Sequence, residues 1–143
     1  MKGSRLFRQH ILQLLCQFDS GNEDNAQITD DIFDEENSYT NMPQSKTYSL
    51  AKEIWEDKLS SDEQIESLTP EWPIHRQPLI DRNILRLARF EIITGMTPPK
   101  VAIDEAIELA RQFSTENSTS FVNGVLDSLL NQNVIDVSKE DNS

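Results

Sequence analysis

The residues that could do chemistry in this chain are not arranged for catalysis. His10 and His75 are its two histidines and Cys16 its one cysteine. A metal site needs three or four His, Cys or carboxylate ligands at short spacings. Neither histidine lies in such a pattern, so both read as ordinary surface or packing residues. Cys16 borders an apolar helical stripe with no neighbouring cation to lower its pKa, so it reads as a small buried hydrophobe rather than a nucleophile. No serine sits in a G-x-S-x-G elbow. The four glycines, Gly3, Gly21, Gly95 and Gly124, are too scattered to form a phosphate-cradling loop. Asp104, Glu105 and Glu108 read as the solvated face of a helix. No catalytic residue, metal site or cofactor is expected, and this points to a binding protein.

The remaining candidates are cations and polar groups suited to binding. Arg5 and Arg8 are three apart and share a helix face, and Lys2 adds to them from the preceding coil. The plainer reading of the three is scattered surface charge. The overall composition opposes a polyanionic ligand. Lys and Arg number 13 against 25 Asp and Glu, a net charge of −12 in 143 residues. Nucleic-acid binders usually present a basic surface. The charge is uneven, however. No Lys or Arg occurs between Arg8 and Lys46, a gap that holds Asp19, Glu23, Asp24, Asp30, Asp31, Asp34, Glu35 and Glu36. Residues 136–143 are again acidic and polar, and the remainder is close to neutral. The net charge thus describes an acidic variable segment at 19–45 and an acidic, flexible tail, both expected to be solvated. The lone cysteine fits a reducing compartment. No apolar stretch approaches the roughly 20 residues of a membrane helix, and the N-terminus lacks a signal peptide's apolar core. A cytoplasmic protein with no membrane partner is expected.

The elements that must position these residues are helices. No segment alternates apolar and polar residues as a half-buried strand does. Phe7, Ile11, Leu14, Leu15 and Phe18 line one face of a first helix that Gly21 stops. Asp30–Glu36 reads as a short acidic helix. Lys46–Leu59 reads as another, with Leu50, Ile54 and Trp55 inward, and Asp62–Leu68 as a short turn capped by Ser60 or Ser61. Leu79–Thr94 carries Ile80, Ile84, Leu87 and Ala88, widened by Leu85 and Ile92, which places it near the centre of the fold. Gly95 and Pro98-Pro99 end it. Pro99 then opens a helix over Lys100–Phe113 with Ala102, Ala106, Leu109 and Phe113 as its stripe. After a polar break at Ser114–Ser118, the last helix runs from about Ser118 to Asn131 and buries Val122, Val125, Leu126 and Leu129. The prediction is an all-α single domain, residues 1–135, of about six or seven helices.

Three ordered motifs carry a resemblance. They are ILRLARFEI within residues 81–92, VAIDEAIELARQF at 101–113, and SFVNGVLD at 120–127. With the looser RQHILQLLCQFD at 8–19, the chain resembles the NusB family of bacterial transcription antitermination factors. The close match covers roughly residues 78–130, and residues 20–72 match only in helical character.

The resemblance implies two small helical bundles and no enzymatic activity. It implies binding of boxA-type single-stranded RNA together with NusE, a ribosomal small-subunit protein. The pair promotes read-through by RNA polymerase, chiefly in ribosomal RNA operons. Some members form homodimers. The family's basic N-terminal motif falls on Arg5 and Arg8, near Lys2, with Leu6 and Phe7 where further basic or small residues are common. Its RNA-contacting turn falls on Asn117, Ser118 and Phe121. An acidic residue often stands at the Asn117 position, and its absence removes a repulsion toward phosphate. The NusE-facing acid falls on Asp81.

The chemistry suits these roles. A phenyl ring stacks on a splayed base, a helix N-terminus favours phosphate, and arginines supply charged phosphate contacts. Each also has a plainer reading, with Phe121 in the core, Asn117 or Ser118 as a helix cap, and Asn123-Gly124 as a close-packing pair. An interaction module of the same fold without RNA binding is the alternative.

Overall fold

A computed structural model describes the backbone of residues 2–21 and 44–141, and the side chains of residues 5–21 and 46–132. The acidic helix expected at Asp30–Glu36 lies outside the described residues, as does most of the acidic segment. The elements are α1 (Lys2–Asp19), α2 (Gln44–Glu56), α3 (Lys58–Leu68), a 3-10 turn (Ile74–Arg76), α4 (Leu79–Ile93), α5 (Pro99–Phe113) and α6 (Glu116–Asp141). No strand occurs among the described residues, so the chain is all-α. It divides into two units, Met1–Leu59 and Ser60–Ser143, with the boundary inside α3. No helix among the described residues is long and apolar enough to cross a membrane.

In the first unit α1 packs on α2. Ile11, Leu14, Leu15 and Phe18 are buried as the periodicity predicts, and His10 and Leu12 join them. Phe7 and Cys16 are only half-buried. The Phe18 ring meets Tyr48 edge-on at 5.9 Å between centroids. Gly21, at φ +88°, closes α1 in the left-handed conformation that glycine adopts without strain. The helix expected over Lys46–Leu59 stops at Glu56, because the Asp57 N–H is shared between the Glu53 and Ile54 carbonyls, 3.2 Å from each. The next helix starts at Lys58, so Ser60 and Ser61 lie within α3 and cap nothing; Ser61 is buried.

In the second unit α4 is buried without a break from Asn83 to Ile92, as a central helix should be. A helix enclosed this fully must satisfy its polar side chains internally. Arg86 donates through Nε and Nη2 to the two Asp62 oxygens, at 2.9 and 2.8 Å, and through Nη1 to Asn83 Oδ1 at 2.9 Å. Arg89 Nε donates to Gln64 Oε1 at 2.7 Å. These bonds pin α3 to α4. Glu91 accepts from the Thr97 hydroxyl at 2.7 Å, which fastens the turn after α4. α5 and α6 complete the bundle. Ala102, Ala106 and Leu109 are buried on α5 with Ile103 and Ala110. Phe113, expected on that stripe, keeps the angular position of the buried face but is 46% exposed as the last residue of the helix. Val122, Val125, Leu126 and Leu129 are buried on α6 as predicted. That helix begins at Glu116, ahead of the expected start, and runs on to Asp141. Residues 136–141, read from composition as a tail, therefore continue it.

Candidate nucleic-acid interface

The start of α6 is built on one buried carboxylate. Asp81, in the first turn of α4, is 1% exposed. Its Oδ1 accepts from the Ser114 hydroxyl at 2.6 Å and its Oδ2 from the Ser118 hydroxyl at 2.7 Å. Thr115 stands at the N-cap position. Its Oγ1 lies 3.3 Å from the Ser118 N–H, the side-chain cap bond, and 3.1 Å from the Ser118 hydroxyl. The polar break that reads as a run of cap candidates is thus a network, with Thr115 as the cap and Ser114 and Ser118 as links to α4.

Two of the candidate residues belong to this network. Asp81, placed by the resemblance on a partner-facing surface, turns inward and has both oxygens engaged within its own unit. Ser118, placed on the RNA side, is 5% exposed with its hydroxyl committed to Asp81. The carboxylate also lies beside the first turn of α6, where the helix would otherwise favour an anion. Asn117, by contrast, is exposed, and Phe121, one turn on, is half-buried. The clamp fixes the rotation of α6 that presents them.

Phe121 does not stand alone. Its ring lies 4.6 Å from that of Trp72, centroid to centroid, at an angle of 58°. Trp72 is 37% exposed, and its backbone is held at both ends. Its N–H donates to the Thr69 carbonyl at 3.0 Å, and its carbonyl accepts from Gln77 Nε2 at 3.1 Å. Sequence reasoning left Trp72 unassigned, although a tryptophan between Pro70 and Pro73, outside any apolar stripe, was a visible signal. Gly124, read as a close-packing residue, has nothing within 4 Å of where a Cβ would sit.

On α1, Arg5 is exposed and Arg8 half-buried. Lys2 is the first residue of that helix rather than part of a preceding coil, and its side chain lies outside the described residues. Among the described residues no cluster of three His, Cys, Asp or Glu side chains is placed to hold a metal.

The model of the NusB family matches residues 5–131. The chain belongs to the NusB family. The NusB transcription antitermination protein of Solibacter usitatus is 38% identical over 131 residues, which span 90% of this chain and 89% of that protein. Among solved structures, T. maritima NusB superposes with a TM-score of 0.72 at 31% identity, covering 87% of each chain. A NusB solved with NusE and double-stranded RNA superposes with a TM-score of 0.62 at 25% identity, covering 90% of this chain and 96% of that one. The family match extends well beyond the three motifs into residues 20–72, where the sequence showed only helical character.

Proposed function

We propose that this protein is a cytoplasmic antitermination adaptor. It binds boxA-type single-stranded RNA together with NusE and promotes read-through by RNA polymerase, chiefly in ribosomal RNA operons. The observation that carries the reading is the clamped start of α6. A NusB-family chain here presents a neutral, exposed Asn117 and a partly exposed Phe121 from a helix whose first turn is fixed by a buried carboxylate. The relative solved with NusE and RNA supports both partners.

In this reading Asn117 offers a donor and an acceptor to base edges. Phe121 offers a stacking surface. Arg5 and Arg8, with Lys2, supply the charge-assisted phosphate contacts. Asp81 and Ser118 act as positioning residues, since their polar atoms are already bonded to each other. Nothing in this division of labour requires a catalytic step.

Titration of a boxA-type RNA with and without NusE tests the reading. NusE should bind the protein and raise its RNA affinity. If NusE does neither, the adaptor reading fails and an interaction module without RNA binding takes its place.

A further inference from the structure

Beside Phe121 the second unit carries an open groove of roughly 440 Å³ between the Leu68–Trp72 segment and α6. Its walls include Trp72, Phe121 and Val125. Gly124 and Ser128 also line it, and Glu71 is its one charged lining residue. Three features of this groove need a common explanation.

The first is the aromatic pair. A tryptophan left 37% exposed beside a second ring exposes apolar surface in a segment that its own hydrogen bonds hold in place. With centroids 4.6 Å apart the rings touch, so no third ring fits between them. Trp72 lines the groove and keeps part of its surface exposed.

The second is Gly124. Glycine in a helix interior weakens the helix relative to alanine. Packing inside the protein does not require it, because a Cβ would meet nothing within 4 Å and the backbone conformation is ordinary helix. What its missing methyl does is keep the groove lining there at backbone level.

The third is charge. The lining has one carboxylate and no cation. A phosphate would be repelled there, whereas a neutral planar ring would not. Ser120 and Ser128, both exposed, also line the groove and carry hydroxyls that can bond a ring's polar atoms.

We propose that this groove seats one unstacked nucleobase of the bound RNA, resting on Trp72 with Phe121 as its side wall and the Gly124 backbone as its floor. The proposal rests on the RNA-binding reading above and assigns it Trp72 and Gly124. A sequence-tolerant stacking site of this kind takes the π-face of a base and leaves phosphate contacts to arginines elsewhere.

The chain has two tryptophans, Trp55 and Trp72, so a Trp55→Phe background leaves Trp72 as the sole indole reporter. This variant, with NusE present, is titrated with a short single-stranded boxA-type RNA. A parallel series carries an abasic site at each position in turn. Trp72 fluorescence should be quenched on RNA binding, and one abasic position should abolish the quench. Trp72→Leu should lower affinity by about 5- to 100-fold, the range expected for one lost stacking contact. Gly124→Ala should weaken binding while raising the melting temperature, a pairing that a purely structural glycine would not produce.

RNA binding with no quench, and with both variants at parent affinity, overturns the groove and leaves the RNA reading standing. Quenching by NusE alone makes the groove a protein-docking site and overturns the proposal. Absence of RNA binding by the parent protein overturns both readings.

Discussion

Replacing Asp81 separates a positioning role from a partner-facing one. The carboxylate is 1% exposed and accepts from two hydroxyls at 2.6 and 2.7 Å. A hydrogen bond to a charged group contributes about 1.5–3 kcal/mol net, and a neutral one about 0.5–1.5. Asp81→Asn keeps the shape and one acceptor, and turns an amide N–H toward the other hydroxyl. Two bonds then fall from the charged to the neutral class. Removing a buried charge offsets part of that loss, so the net cost is about 1–2 kcal/mol. Asp81→Ala also leaves two hydroxyls without their acceptor, at about 1–3 kcal/mol each. Ser118 retains its 3.1 Å contact with Thr115 and Ser114 its 2.8 Å contact with Ser118, so the total is nearer 3 kcal/mol. At about 4 °C per kcal/mol for a domain of this size, the melting temperature should fall by roughly 12 °C for Ala and 4–8 °C for Asn.

The assay is thermal and urea unfolding followed by far-UV circular dichroism, with Ser118→Ala and the Asp81→Ala/Ser118→Ala double variant completing a cycle. The coupling should be about 1.5–3 kcal/mol. A coupling below about 0.5 kcal/mol would mean the clamp contributes nothing specific. The functional arm reads NusE affinity of Asp81→Asn at a temperature where the variant is fully folded. A small change is expected. A large loss of NusE binding with an unchanged melting temperature would put the carboxylate on the partner surface and refute the inward assignment.

Other substitutions probe the remaining parts of the structure. Asp62→Ala removes the carboxylate that accepts from Nε and Nη2 of the 5%-exposed Arg86 side chain and should cost about 3–5 kcal/mol in denaturant melts, whereas Asp62→Leu with Arg86→Met should recover most of it. An Asp62→Ala variant as stable as the parent would show that the α3–α4 pin is dispensable. Gly124→Ala should stabilise the chain by about 1 kcal/mol, and a lower melting temperature would reveal a packing constraint at that site. Arg8→Ala should flatten the dependence of log affinity on log salt by about one unit; an unchanged slope and affinity would remove Arg8 from the RNA site. Thr115→Ala should lose about 1 kcal/mol as an N-cap, read in the same melts, and no loss would transfer the cap elsewhere.

The sequence made the helices legible where burial is one-sided and the ends carry strong signals. Ile11, Leu14, Leu15 and Phe18 keep a 3.6-residue stripe, and Gly21 and Gly95 stop their helices at positive φ. Pro99 opens α5 as its fixed φ allows. Reading failed where a tertiary partner decides. Nothing local marks Asp57 as a break, since the shared N–H that makes it one is a property of the folded backbone. Nor does periodicity show that Arg86 and Arg89 point inward, because their partners Asp62 and Gln64 are more than 20 residues away in sequence. The family's candidate residues could be located by motif. Their orientation could not, because Asp81 and Ser118 face each other only once α4 and α6 are packed. The pairing of Trp72 with Phe121 was hidden for the same reason, since the two rings lie on different elements.

The buried carboxylate also changes what the −12 charge means for RNA. From sequence, the start of α6 reads as an anion site, with small polar residues at a helix N-terminus. Asp81 already places a negative charge beside that turn, and its field opposes a phosphate there as it would oppose any second anion in a poorly screened site. The start of α6 is therefore suited to bases rather than phosphates, which matches the exposed neutral Asn117, the partly exposed Phe121 and a neighbouring groove lined by no cation. Phosphate attraction must then come from Arg5, Arg8 and Lys2, or from the partner. Few phosphate contacts mean a shallow salt slope and weak binding to arbitrary RNA. Affinity would rest on unstacked bases in register with the aromatic surface. On the proposed adaptor reading, such a protein would bind bulk RNA poorly and gain strength from a partner that supplies counter-charge, so its overall acidity would serve selectivity instead of opposing RNA binding.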